Sequence, residues 1–396
     1  MKPNWIISGF VTAGLLTSAV FAQESTPSET VPAPAAEQTV PEEKPSEVAA
    51  ETPAVMPPED SAAIEAQNPA PEPAAAKLQQ PKPFVQLNDF CPTTETVILA
   101  PWGDLLVACP NTGKPDYPAM IIRITPENKV YPWMMVPVDP ESGVATPAGM
   151  AFSPDGNLYI ADAPYLRDGK SPGRVLRIIV NEKHRPVGCQ VAAYNFGFPN
   201  DIKVFEQYIY VTDSCVEKQD GKMMSGVYRF SIDAKSIKVT NSVKDPYIFG
   251  IITTNNPDSP IGADGLCFNA DGDLFVGNFG DGQIYKITFD MERIPAAPVL
   301  FAQGEALKST DGLVMGEDGN LYTTDFVQNA VVKIDPQGAI SVIAQNDDAQ
   351  TRPGALHKPS SLCFRGKELI ISNYNCVPGA ASSSQNPAEM SVITLP

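Results

Sequence analysis

One pattern recurs along residues 83–396: a short apolar strand, a tight D-G-type turn, and a second apolar strand ending in a polar residue. It reads PAGMAFSPDGNLYIAD at 147–162, ADGLCFNADGDLFVGN at 263–278 and TDGLVMGEDGNLYTTD at 310–325. Less regular copies are ETVILAPWGDLLVAC at 95–109, PNDIKVFEQYIYVTD at 199–213 and PSSLCFRGKELIISN at 359–373. A marker residue stands at the start of each: Glu95, Ala148, Asn200, Asp264, Asp311 and Ser360. The markers recur at roughly fifty residues, the length of a four-stranded blade, so six copies predict a six-bladed β-propeller. Segments such as RVLRIIV (174–180), GVYRFSI (226–232), QIYKITF (283–289) and AVVKIDP (330–336) supply third strands. No helical period is sustained, which makes the class all-β. After Ser360 there is room for three strands, the last being MSVITL at 390–395. The segment FVQLNDF (84–90) stands ahead of the first blade and is expected to complete the last one, removing an open sheet edge.

The remainder of the chain is not part of the repeat. Residues 1–22 carry Lys2, an apolar run and a Val20-Phe21-Ala22 ending, the pattern of a cleaved signal peptide. The run is too short for the ~20 apolar residues of a spanning helix. Export to the periplasm or the exterior is expected, with no membrane span in the mature protein. Residues 23–82 are rich in Pro, Ala and Glu, and should form a disordered tether because they bury too little apolar surface to offset chain entropy. The propeller domain is then 83–396. The net charge of −18, much of it in that tether, argues against nucleic acid as a partner.

Seven cysteines in an exported chain permit disulfides, and an odd count leaves at least one thiol unpaired. Cys91, Cys109 and Cys376 all fall near the junction of blades one and six, so a bridge between two of them is expected. Cys267 and Cys363, each within LCF, read as small core residues. With only His184 and His357 and no C-x-x-C pair, a zinc site is disfavoured.

Blade geometry decides which side chains meet. The turn reverses each hairpin, so the marker before strand one and the polar residue ending strand two share one channel mouth. The strand-two ends are Cys109, Asp162, Asp213, Asn278, Asp325 and Asn373. A ring of Glu, Asp and Asn without His is the ligand chemistry of a hard cation such as calcium. Crowded carboxylates otherwise repel one another or hold a proton. Asp162, Asp213 and Asp325 have a plainer use, capping loops by accepting backbone amides. The loop 165–174 and the insert 253–262 border the same mouth, and His357 reaches it from the loop before blade six.

The repeat and its markers resemble the gluconolactonase and senescence marker protein (regucalcin-like) family, related to paraoxonase-like and organophosphate-hydrolysing propellers. That resemblance implies one calcium or other divalent cation in the channel, held by Glu95 in TTETVIL, Asn200 in FPNDI and Asp264 in GADGLCF. It also implies hydrolysis of a small-molecule lactone or ester, with Asp264 as base or nucleophile and Asp311 as second choice. Two departures stand out. Ala148 occupies the blade-two position where catalytic relatives place another Asn, and no Arg matches the one that some sugar lactonases use for substrate. The sequence therefore carries two expectations, a metal-dependent hydrolase and a non-catalytic cell-envelope propeller whose metal is structural.

Overall fold

The computed structural model describes residues 78–396 apart from 88, 113, 115, 350, 351 and 376–387. The expected signal peptide, the expected tether as far as residue 77, and Cys376 lie outside the described residues. Six sheets follow one another as blades, antiparallel apart from one pairing at the edge of blade two. Blade one runs Val97–Leu99, Leu105–Cys109, Met120–Ile124 and Val130–Met135. Blades two to six open with Pro147–Phe152, Pro199–Phe205, Ala263–Phe268, Leu313–Met315 and Pro359–Arg365. These first strands touch their neighbours in a closed ring, the first strand of blade six lying against that of blade one.

Burial follows from that layering. The second strands LLVAC, LYIAD, LFVGN and LYTTD are buried at every position, because each blade is sandwiched between two others. Outer strands such as Val130–Met135 have only one side to cover and show mixed exposure. Apolar clusters fill the gaps between neighbouring blades, including the gap between six and one.

Near the axis the inner strands crowd, and glycine follows the marker in blades two, four and five. A Cβ on Gly265 would stand 2.0 Å from the carbonyl oxygen of Asp311, and one on Gly149 would stand 2.5 Å from the Cα of Asp201. Side-chain hydroxyls tie blade to blade at the same level. Thr212 Oγ1 donates to Asp264 O at 2.6 Å and Ser214 Oγ to Ala263 O at 2.7 Å, while Ser372 Oγ donates to Glu95 O.

The ring closes as the sequence predicts. The N-terminal strand Lys82–Gln86 pairs antiparallel with the C-terminal strand Glu389–Thr394 and completes blade six. Blade two holds a surprise: Ile237–Lys238, from the connection after the third strand of blade three, adds in parallel to its outer edge as a fifth strand. The loop at 165–174 contains a single helical turn, Tyr165–Asp168. No helix among the described residues is long and apolar enough to cross a membrane.

Cys91 is bonded to Cys109, 18 residues on. Cys189, Cys215, Cys267 and Cys363 are free, the last two buried as expected of core residues. A closed loop of this length restricts the unfolded chain enough to be worth about 3 kcal/mol. A Cys91→Ala/Cys109→Ala double variant should lose about that much stability in chemical unfolding. Reductant should then have no further effect on it.

Candidate functional site

The register puts markers and strand-two ends at one mouth: Pro147 pairs with Asp162, Pro199 with Asp213, Ala263 with Asn278 and Pro359 with Asn373. Glu95 and Asp311 lie just ahead of their strands and are held by their own amides, which donate to Ala108 O and Thr324 O. Glu95, Asn200, Asp264 and Asp311 are all buried. Asn200 Nδ2 donates to Asp264 Oδ2 at 2.8 Å, which joins blades three and four at the axis.

The electrostatics show how closely the acids converge. Burial, and then the Asp201 carboxylate, push the Glu95 carboxyl up from 4.5 to about 8, against a hydrogen bond from Ser360. Burial, then Glu95 and Asp201, raise Asp264 well above its usual range. Asp311 is raised by burial, then by Asp264, Glu95 and Asp201. These are carboxylates short of countercharge. Glu95 Oε2 has no hydrogen-bond partner among the described residues, a buried, orphaned acceptor.

Asp201 is the member that sequence reasoning missed. Its Oδ2 accepts from Leu266 N at 3.2 Å and from Lys203 Nζ at 2.6 Å, and this Lys–Asp pair lines a cavity together with residues of the first strands of blades one, five and six. Its signal was a charged residue directly after the marker, where three other blades carry glycine. Ala148 is fully buried and packs with Ala163 and Phe198, filling the blade-two position with apolar bulk.

The strand-two acids stand apart from this group. Asp213 accepts from the amides of Gly197, Phe198 and Cys215, and Asp325 from Lys308 N and Gln328 N. Asp162 accepts from Thr146 N and pairs with Arg174 Nε at 2.8 Å. All three hold loops. The charges acting on His357 are those of Glu389, Asp348 and Arg352, none of them in the ring, and burial lowers its basicity. His184 sits at the opposite end of blade two, stacked on Trp102.

An aromatic rim was also missed. The residue after each of three strand-two ends is aromatic: Phe279, Phe326 and Tyr374. Their rings run edge to face around the mouth, with centroids 5.8 Å and 6.0 Å apart. Arg167, on the short helix of blade two, brings a cation to the same rim through Asn111 O at 3.2 Å.

As a cation site, the trio Glu95, Asn200 and Asp264 offers only oxygen donors once the amide is turned by its carbonyl, the set that suits calcium. Among the described residues no three His, Cys, Asp or Glu side chains are close enough to share an ion, so Asn200 would be the third side-chain donor beside Glu95 and Asp264. The orphaned Glu95 oxygen and the uncompensated acids make the group fit a divalent cation.

Comparison with known proteins bears on this arrangement. Residues 194–371 match the family model described as the SMP-30/gluconolactonase/LRE-like region, from the end of blade two into blade six. No curated protein matches the sequence. A luciferin-regenerating enzyme superposes with a TM-score of 0.53 at 13% identity, over 80% of this chain and 95% of its own. A structural-genomics protein assigned as a gluconolactonase gives 0.51 at 15%, over 80% and 92%. A PQQ-bound aldose sugar dehydrogenase from Streptomyces coelicolor gives 0.50 at 16%, over 81% and 99%. At such identities the structural likeness establishes the six-bladed fold, which hosts unrelated chemistries.

Proposed function

We propose that this chain is an exported, divalent-cation-dependent hydrolase of lactones or related esters, working at the Glu95 mouth of the channel. The observation that carries the reading is the convergence of Glu95, Asn200, Asp264 and Asp311 at one buried end, with Glu95 Oε2 unpartnered. The family-model match over residues 194–371 points to the same lactone chemistry.

Glu95, Asn200 and Asp264 would hold the ion. Bound there, a calcium-like cation supplies a Lewis acid for a carbonyl oxygen. The chain's own groups do the rest. Turning the Asn200 carbonyl to the ion would release the Asp264 oxygen that its amide otherwise meets at 2.8 Å, leaving that oxygen as a candidate proton acceptor for water. Asp311, its raised neighbour, can hold a proton and return it to the departing alkoxide. Phe279, Phe326 and Tyr374 keep bulk water from the mouth, and Arg167 can orient a polar substrate group.

A second reading draws on Ala148. With apolar bulk in place of a fourth ligand, the propeller could bind a ligand and use the ion only to neutralise its acids. Purified protein stripped with chelator, then titrated with calcium and screened against lactones and aryl esters, separates the two. The hydrolase reading expects turnover that chelator abolishes and calcium restores. Thermal stabilisation by calcium without turnover selects the binding protein. Absence of both removes the ion from either reading.

A further inference from the structure

Away from the ring, at the turn end of blades one and two, lies a surface that the proposed reaction does not use. Trp102 comes from the first turn of blade one, and Trp133 from the outer strand Val130–Met135. His184 comes from the turn joining Gly173–Val180 to Pro186–Phe196. The His184 ring stacks on Trp102 at 4.4 Å, and Trp133 Nε1 donates to His184 O at 2.9 Å. Trp102 Nε1 donates to Asp104 Oδ2 at 3.0 Å, and Arg123 meets the same oxygen at 3.4 Å. The Arg123 guanidinium lies 5.3 Å from the centre of the Tyr131 ring. These contacts fix the rings in place before any ligand arrives.

A cavity of about 500 Å³ opens beside them, lined by Arg123, Tyr131, Trp133, Lys183, His184 and Arg185. Tyr131 is exposed and Trp133 half-buried. Lys183 and Arg185 are exposed and form no ion pair among the described residues, although Glu182 shares their turn. In a chain of net charge −18, unpaired cations beside a preset aromatic wall are an anion-selective feature.

We propose that this cavity binds an acidic saccharide. The C–H face of a sugar ring suits the electron-rich faces of Tyr131 and Trp133. A uronate carboxylate at its edge would meet the Arg185 fork and the Lys183 ammonium. A nucleic acid would need cations along many phosphates, whereas this lining offers Lys183, Arg185 and the Asp104-paired Arg123. The lining has too little aliphatic surface to seat a bilayer, its apolar members besides the rings being Pro132 and Pro186. The cavity faces away from the Glu95 mouth, so both sites can be filled together.

The test uses the full chain in chelator, so that no cation at the ring can recruit the ligand. An oligogalacturonate is titrated while binding heat and tryptophan emission are followed, with a neutral malto-oligosaccharide of equal length as control. The expected result is saturable binding with a change in emission, absent for the neutral sugar. A Lys183→Gln/Arg185→Gln variant should bind about tenfold more weakly, two screened ion pairs being lost. Trp133→Phe should remove most of the emission change. Both variants alter exposed or half-buried positions, and unchanged melting confirms their fold. No binding by the wild type, equal binding of the neutral sugar, undiminished binding by the double variant, or capture only by anionic phospholipid vesicles would overturn the proposal.

Discussion

Asp264→Ala should lower kcat/KM for the best lactone or aryl ester by about two to three orders of magnitude, the usual cost of removing one preorganised polar group from a reacting centre. The carboxylate is asked to do two things at once, donate to the ion and stand beside the reacting water. Its loss also takes from the Asn200 amide its 2.8 Å partner, leaving the longer 3.4 Å contact to Ser214 Oγ. The same substitution should leave the ion-free protein at least as hard to melt as the wild type. It deletes a carboxyl that burial, and then Glu95 and Asp201, already push toward its neutral form. Activity and stability moving in opposite directions distinguish a site residue from a fold residue. Asp311→Asn should cost less, since that group would act on the proton alone. Retained activity in Asp264→Ala would remove Asp264 from the reaction.

In chelator, the protein should lose stability as pH rises from 5 to 8, a direction opposite to that of an ordinary acidic protein leaving acid. The Glu95 carboxyl binds its proton up to about pH 8 when folded and up to about 4.5 when unfolded. Between those values the folded state carries the extra proton, so each pH unit removes stability as the proton leaves. A unit corresponds to about 1.4 kcal/mol, and the window makes the total on the order of a few kcal/mol. Saturating calcium should flatten the slope, because the ion supplies the positive charge that the proton otherwise brings. Glu95→Gln should make it shallower without calcium, the remaining slope coming from Asp264 and Asp311, which burial also raises. Melting temperatures in chelator and in calcium across that range provide the check, and a rise with pH in chelator would refute the assignment.

The six-bladed fold was legible because its grammar is local. A D-G turn between two apolar strands is a short-range signal, and copies survive even where blade three replaces the turn glycine with Glu206, which takes a φ of 54°. The order of the blades and the closing strand followed from counting. Features that depend on neighbours across the axis were not legible. Asp201 stood unremarked beside Asn200, and its weight comes from Glu95, Asp264 and Asp311, which approach from three other blades. The rim of Phe279, Phe326 and Tyr374 was spelled in the sequence, one aromatic after each strand-two end. Its meaning required knowing that those ends adjoin. The choice of Cys109 as the partner of Cys91 likewise depended on packing between blades six and one.

Blade six is built from both ends of the described chain, with Lys82–Gln86 laid against Glu389–Thr394. During synthesis the strand that finishes the ring emerges first and its partner last. Five blades can therefore assemble while the circle stays open, with two unsatisfied edges exposed until Glu389–Thr394 has been made. The pairing has nearly the largest sequence separation available to this domain, so closure should be the slow step of folding. Truncating the final strand should yield a species that binds other copies of itself through those edges.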